Sequence, residues 1–393
     1  MSNQTILSPL VTQGQPADWL FVFKFNTKSF PECDGRTMTE GIFGGKMREY
    51  HGRFSQQYVY ASSVNPTLQK GKGCVGATLT DPLGATFAQV YNGDYNYVLW
   101  NDQFYGKPIA NGDSPWGHSK GMLAWDDDGN GMVLQVSTPS WPASGSKNHP
   151  RQGEGNTLGT IKDDDINVSQ HFFALKLNKS DVKVVLNALN NSSVRTNISK
   201  PSIANNGGPS DIQDLVKSLG KKSKSHQCTI ETLSSGIQLI SKPSKMGVPP
   251  WQLVSAKLGG IPLRVASWWA HPEIYSTNQQ TQIHCWATGL GEPGDIEIAT
   301  SGVWNGVDFS LTGGLGENHN HAKLGISKDP NKPLSIFGDM NQQGAIRPKM
   351  DYSTQNCFSS QNGRGGTFYV LNNQKLWESL TALLNGTSAA VKV

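Results

Sequence analysis

Apolar runs closed by turn residues set most of the elements this chain predicts. Asp18 to Phe25, Tyr58 to Ala61, Thr86 to Tyr91 and Tyr97 to Trp100 are aromatic and β-branched, and read as buried strands. The polar group Asn101-Asp102-Gln103 that ends the last of these reads as a plain turn rather than as the margin of a site. Gly121 to Trp125 and Met132 to Val136 flank Asp126-Asp127-Asp128-Gly129-Asn130-Gly131, which predicts a hairpin. His171 to Leu177 is a further strand. A helix follows from Ser180, with Val182, Val185, Leu186 and Leu189 at helical spacing.

The second half repeats this order. Leu324 to Ser327, the turn residues Lys328 to Pro333 and the apolar Leu334 to Phe337 form one unit. The strand Thr367 to Leu371 follows, then a helix capped by Asn372 or Asn373, with Leu376, Leu380, Leu383 and Leu384 on one face and Gly386 past its end. Such a repeat is what a duplicated lobe leaves after sequence identity has faded. The expected division is an N-terminal lobe over 1–200, a linker or insert over 201–228 and a C-terminal lobe over 229–393. Asn187 to Lys224, rich in Asn, Ser, Pro, Gly and Lys, supplies the linker character. Within it Ser210-Asp211-Ile212-Gln213 reads as a capping box opening a short helix that closes near Gly220. The basic run Lys221-Lys222-Ser223-Lys224 reads as solvated surface in preference to a phosphate-contacting arm. Pro250 to Leu258 predicts a helix stopped at Gly259-Gly260, and Leu263 to Trp269 a strand.

Each half opens its hairpin with the same chemistry, His118-Ser119-Lys120 and His321-Ala322-Lys323. On an extended chain residues two apart share a face, so each histidine points the same way as its lysine. With 9 histidines and 34 lysines and arginines in 393 residues, a His-x-basic triplet arises about once by chance, so the repeated context carries the weight. Two imidazoles and two ammonium groups at one point suit phosphodiester cleavage without a metal. One neutral imidazole attacks phosphorus, the other, protonated, serves the leaving oxygen, and the lysines offset phosphate charge. At an ordinary imidazole pKa of about 6.5 the mixed state forms on the acid side of neutrality, which predicts a bell-shaped profile. His51, His149, His226, His271, His284 and His319 have no repeat partner and read as surface or satisfied core residues. A plain anion-binding patch remains the alternative.

Composition narrows the classes. With 43 Gly, 21 Pro and 36% hydrophobic residues, the chain is a loop-rich mixed α and β protein rather than a helical bundle. The net charge of +4 allows a polyanionic partner, though a protein that merely coats nucleic acid is usually more basic. The five cysteines contain no Cys-x-x-Cys, so structural zinc is not expected, and their odd number precludes complete pairing. No basic and apolar leader and no apolar run of about 18 residues is visible, which leaves the compartment open: cytoplasm, or secretion by an unseen leader.

Gly117-His118-Ser119-Lys120-Gly121, Asp126-Asp127-Asp128-Gly129, Ser137-Thr138-Pro139, His321-Ala322-Lys323, Gly338-Asp339-Met340-Asn341 and Arg364-Gly365-Gly366-Thr367, in this order over most of the chain, resemble the deoxyribonuclease II family. The N-terminal Ala17-Asp18-Trp19, the stretch Tyr97 to Gln103 and the ending around Leu376-Trp377 are similar to it as well. The resemblance implies a phospholipase D-like α/β fold of two pseudo-symmetric lobes, each a central mixed sheet flanked by helices, clamped around double-stranded DNA. It implies a metal-independent acid endonuclease that needs no cofactor and leaves 3′-phosphate and 5′-hydroxyl ends. His118 and His321 are then the catalytic pair, with His118 as nucleophile and His321 as acid and base, or with these roles exchanged. Lys120 and Lys323 bind the scissile phosphate, and Asn341, Ser137 and Asp339 support it. The chain is read as a bacterial member. The wider superfamily has Asp five residues after each Lys, where this chain has Trp125 and Lys328, so the group orienting each imidazole must come from elsewhere. That departure disfavours lipid hydrolysis. Gln342 to Gly363 looks longer than the family norm. Another phosphodiesterase or phospholipase, or a non-catalytic DNA-binding clamp, are the alternatives; the paired imidazoles argue against the last, since binding alone requires only cations.

Overall fold

The computed structural model describes residues 7–31, 33, 57–76, 78–104, 107–139, 141–142, 167–268, 274–286, 289–314, 316–342, 357 and 361–391. A small hairpin of β1 (Leu10–Thr12) and β2 (Gln15–Pro16) precedes β3 (Trp19–Lys24), β4 (Tyr58–Ser62) and β5 (Gln69–Lys70). Then come α1 (Pro82–Tyr91), β6 (Asn96–Asn101), β7 (Lys120–Trp125), β8 (Gly131–Val136), β9 (Gln170–Leu177), α2 (Lys179–Asn191), β10 (Ala204–Asn205) and α3 (Ser210–Ser218). The second half runs β11 (Thr229–Thr232), β12 (Gln238–Lys242), α4 (Pro250–Lys257), β13 (Leu263–Ala266), β14 (Ile296–Ile298), β15 (Ser301–Trp304), β16 (Val307–Ser310), β17 (Leu324–Ser327), β18 (Leu334–Gly338), β19 (Gly366–Asn372) and α5 (Gln374–Leu383).

The two large sheets have matching strand orders. The first contains β6-β7-β8-β9-β3 in space and the second β13-β17-β18-β19-β12. In both, every neighbouring pair in these runs is antiparallel. Only the second sheet is mixed, through the parallel pair β13 and β14.

Alternation along the strands explains the layering. In β3, Trp19, Phe21 and Phe23 face the space between the sheets, whereas Leu20 and Val22 face the α1 side. In β19, Tyr369 and Leu371 face the shared space and Phe368 and Val370 the α4 side. Phe337 stacks on Phe21 at 4.9 Å and on Phe173 at 4.3 Å, so the sheets meet through aromatic faces, with α2 and α5 in the same core. Each such fully buried phenylalanine contributes roughly 1.5–3 kcal/mol relative to exposure.

One predicted element changes type. Thr86 to Tyr91 belongs to helix α1, not to a strand. Pro82 sits in its first turn and the Asp81 carboxylate caps it, accepting from the amides of Leu83 and Gly84. Its apolar residues are buried nearly all round between β1 and the first sheet, which hides the helical period. The capping box at Ser210 does not form: Pro209 is the cap residue, no side chain caps the helix, and Ser210 lies inside its first turn. The stretch read as linker opens inside α2, while β10 adds an edge strand to the first sheet and α3 packs on α2. The loop expected over Gly153 to Thr160 lies outside the described residues.

Cys33 pairs with Cys74 and Cys285 with Cys357, leaving Cys228 as the free thiol. Thiol titration of denatured, unreduced protein therefore gives one reactive group per chain. A count of three or five would overturn this pairing.

Candidate active site

The ends of equivalent strands in the two sheets come together at one place, and each histidine is held by the opposite half. His118, just ahead of β7, donates its amide to the carbonyl of Gly365 at 2.9 Å, and His321, ahead of β17, donates its amide to that of Ser169 at 2.8 Å. Gly365 and Ser169 each immediately precede the first residue of their strand, β19 and β9. The rings follow the same exchange. His118 Nδ1 lies 2.8 Å from the carbonyl oxygen of Asp339, and His321 Nδ1 lies 2.7 Å from that of Ser137. Asp339 and Ser137 are the residues directly after β18 and β8.

Main-chain carbonyls thus orient both imidazoles, the role for which the sequence showed no carboxylate. A carbonyl only accepts, so each Nδ1 carries the proton and each Nε2 has the free lone pair when the ring is neutral. Asn341 Nδ2, 3.4 Å from His118 Nε2, is placed to donate to that lone pair. The two histidines are 7% and 6% exposed, so little of either is reachable from solvent.

Around these rings the two halves differ. Lys120 Nζ donates to Asp102 Oδ1 at 2.6 Å, and Arg364 Nη2 to Asp102 Oδ2 at 2.8 Å, all three groups being buried. Burial raises the Asp102 pKa, but Lys120, Arg364 and His118 outweigh it and hold the carboxyl well below its ordinary range. Lys323 Nζ lies 3.1 Å from His321 Nδ1 and also donates to the His321 carbonyl. Since Nδ1 must carry a proton for Ser137, this ammonium acts on the ring by repulsion rather than as its hydrogen-bond donor. The Lys323 amide donates to Nδ1 of a third buried histidine, His171, at 3.2 Å.

All three imidazoles are held well below the ordinary pKa. Burial is the main cause for each. For His118, Lys120 adds to it, with Asp102 opposing; for His321 the lysines and His118 add to it; for His171 Lys323 does. Trp268 packs against His321 at 5.7 Å and helps to exclude water there. Asp339 moves the other way, pushed up to about 6 by burial against hydrogen bonds from Thr367 and Ser119.

Of the residues predicted for the site, His118, Lys120, His321, Lys323, Asn341, Ser137 and Asp339 all come to this end of the sheets. Two act through different atoms from those expected. The Ser137 hydroxyl donates to Gln170 Oε1 at 2.6 Å, away from a substrate role, and its carbonyl orients His321. The Asp339 carboxylate accepts from Ser119 Oγ at 2.8 Å and from the Thr367 amide at 3.0 Å, and its carbonyl orients His118.

Sequence reading passed over Asp102, His171, Lys24 and Lys242. The last two are equivalent positions in the two sheets, but each bonds within its own half. Lys24, ending β3, donates to the carbonyls of Phe25 and Val168; Lys242, ending β12, donates to those of Pro243 and Arg364. They brace the segments that hold the histidine amides, and burial pushes Lys242 down to about 7. Aligning the two halves on their strands would have matched them. Most of Gln342 to Gly363 lies outside the described residues. Among the described residues no group of three or more His, Cys, Asp or Glu side chains is arranged to hold a metal ion.

The family model of deoxyribonuclease II matches residues 8–389, nearly the whole chain. The chain belongs to the deoxyribonuclease II family. It is 21% identical over 377 residues to cell-death-related nuclease 7 of Caenorhabditis elegans, covering 93% of this chain and 83% of that one. With that match, the family makes this protein a hydrolase of DNA phosphodiester bonds. The nematode relative gives no support to the bacterial origin expected from the sequence. Among solved structures, a variant of yeast tyrosyl-DNA phosphodiesterase aligns with a TM-score of 0.33 and 9% identity, covering 73% of this chain and 86% of that one. A likeness that slight carries no argument. No described helix of this deoxyribonuclease II family member is long and apolar enough to cross a membrane.

Proposed function

We propose that this protein is a metal-independent acid endonuclease of double-stranded DNA, phospholipase D-like, whose two lobes clamp the duplex. The exchanged holding of two equivalent His-x-Lys units at one point carries this reading. His118 Nε2 attacks phosphorus and the bond to O5′ breaks, while protonated His321 gives its Nε2 proton to O5′. The product is a 5′-hydroxyl and a phosphohistidine. Water then attacks phosphorus, His321 takes its proton, and the P–N bond breaks to give a 3′-phosphate and free His118. Lys120 and Lys323 offset charge on the non-bridging oxygens, and Asn341 Nδ2, beside His118 Nε2, gives up that contact and donates to the arriving phosphate.

The depressed imidazole pKa values support acid activity: the singly protonated pair this chemistry requires forms only below the ordinary histidine range. The two disulfides are in keeping with an oxidising compartment.

Supercoiled plasmid is therefore nicked at about pH 5 in excess chelator and far more slowly above neutrality. The nicked ends resist polymerase extension until a phosphatase removes the 3′-phosphate. Dependence on a divalent ion, or ends that extend directly, would overturn the reading.

A further inference from the structure

A cavity of about 710 Å³ is lined by Asp113, Ser114, Pro115, His226, Ser244, Lys245 and Gly363, and neither His118 nor His321 is among these residues. Two of its walls run straight into the site. Asp113 to Pro115 continue through Trp116 and Gly117 to His118, and Gly363 continues through Arg364 to Gly365, which holds the His118 amide. Ser114 Oγ donates to the Gly363 carbonyl at 3.2 Å, and Arg364 Nε to the Trp116 carbonyl at 2.9 Å, so the walls are tied together.

Two cations stand over Trp116, which continues the Asp113 to Pro115 wall toward His118. The Arg195 guanidinium lies 4.6 Å from the centre of the Trp116 ring, and Lys222 Nζ lies 5.6 Å from it. Stacking on an indole fixes a guanidinium without consuming its charge. The basic run is pinned in place: the Ser223 amide donates at 2.9 Å to Ser193 Oγ, and the carbonyl of Ser193 accepts the Gly117 amide. Lys222 and Lys245 are exposed, and Asp113 is the one acid lining the cavity. The segment leading into His321, Gly313 to Asn320, carries Glu317, whose carbonyl accepts the Lys28 amide at 2.8 Å.

Resting on the nuclease reading above, we propose that Arg195, Lys222 and Lys245 form a binding wall for the DNA backbone on the His118 side of the scissile phosphate. Cations along the segment that leads into His118 seat the DNA backbone on that side of the reacting phosphate. The lysine run that sequence patterning assigns to solvated surface is then part of the substrate path.

Steady-state cleavage of a short duplex, measured against sodium chloride concentration, tests this with the double variant Lys222→Ala/Lys245→Ala. The variant loses about tenfold in kcat/KM near 0.1 M salt, and the slope of log kcat/KM against log salt becomes shallower by about 1 to 2. Hydrolysis of bis(p-nitrophenyl) phosphate, too short to reach the wall, stays at the parent's rate. Lys375→Ala, at the far end of the second sheet, leaves both substrates unaffected. An unchanged salt slope overturns the wall, as does an equal loss on the small diester, which would mean that the lysines act on the histidines. Anisotropy of a labelled duplex separates the two readings: a parent that cleaves nothing, yet binds DNA with a slope that the double variant flattens, keeps the wall and removes the nuclease.

Discussion

His118→Ala and His321→Ala each lose at least about 10³-fold in plasmid nicking, and neither is restored by a divalent ion. The two substitutions fail at different steps. Without His118 there is no nucleophile. Without His321 the leaving O5′ has no proton donor and the covalent intermediate no base; any intermediate trapped in this variant is His118 joined to the 3′-phosphate of the DNA strand, an alkali-stable, acid-labile protein–DNA adduct. Because each ring donates to a buried carbonyl of the other half, alanine leaves Asp339 or Ser137 without that donor, at a cost of about 1–3 kcal/mol. Thermal melts of both variants check that the fold survives, and His→Asn variants, which retain an N–H donor, separate loss of chemistry from loss of packing. Activity within tenfold of the parent in either alanine variant, on a folded protein, would remove these residues from the mechanism.

The same rings set the pH profile. In the free protein both are neutral at pH 7, since burial and the lysines depress them. Acidification first adds the one proton the leaving oxygen requires, so kcat/KM rises as pH falls toward the depressed native values, below the ordinary histidine range; a second proton then disables the nucleophile and it falls again. Stability follows a different course. Between an unfolded imidazole pKa of about 6.5 and the depressed native ones, the unfolded chain takes up protons that His118, His171 and His321 refuse, so their contribution to stability declines as pH falls. Asp81 and Asp339 oppose this. With native pKa values pushed up to about 6 by burial, they favour the folded state increasingly as pH falls from about 6 toward the ordinary carboxyl range.

What could be read from sequence divides along physical lines. Strand hairpins such as β7 and β8 are local: an apolar run, an Asp-rich turn with Gly129 at φ +91°, and a second run. Their period and turn chemistry lie in neighbouring residues. The His-x-Lys units were legible because a duplicated motif is compared with itself. Asp102 was not, since the pattern of a strand end does not reveal that residues 18 and 262 positions away will converge on it. The orienting carbonyls of Asp339 and Ser137 were invisible for a stronger reason: every residue has one, and only the exchange between sheets selects these two. Helix α1 shows the converse error, where burial on nearly every side erased the periodicity that distinguishes helix from strand.

Asp102→Ala destabilises the protein by about 3–5 kcal/mol, the largest single loss of stability we expect among the site residues. It leaves Lys120 and Arg364, 2% and 7% exposed, as buried cations without the carboxylate between them. The loss is present at pH 5 as at pH 7. Despite burial, the paired cations keep the native carboxyl pKa well below the unfolded value, so its stabilising contribution, complete above the unfolded pKa, is lost only as pH falls through that low native value. This anchor therefore holds in the acid range where the imidazoles titrate. Activity falls with it, because Arg364 also fixes the carbonyls of Trp116 and Gly117 that lead into His118. Asp102→Asn, which keeps the shape but not the charge, lies between. The cycle with Lys120→Met supplies the control: removing both members of the pair costs less than the sum of the single losses, by about 1 kcal/mol or more. Melting and denaturant curves within about 1 kcal/mol of the parent for Asp102→Ala, or strict additivity in the cycle, would mean that Asp102 is the plain turn residue its sequence context describes.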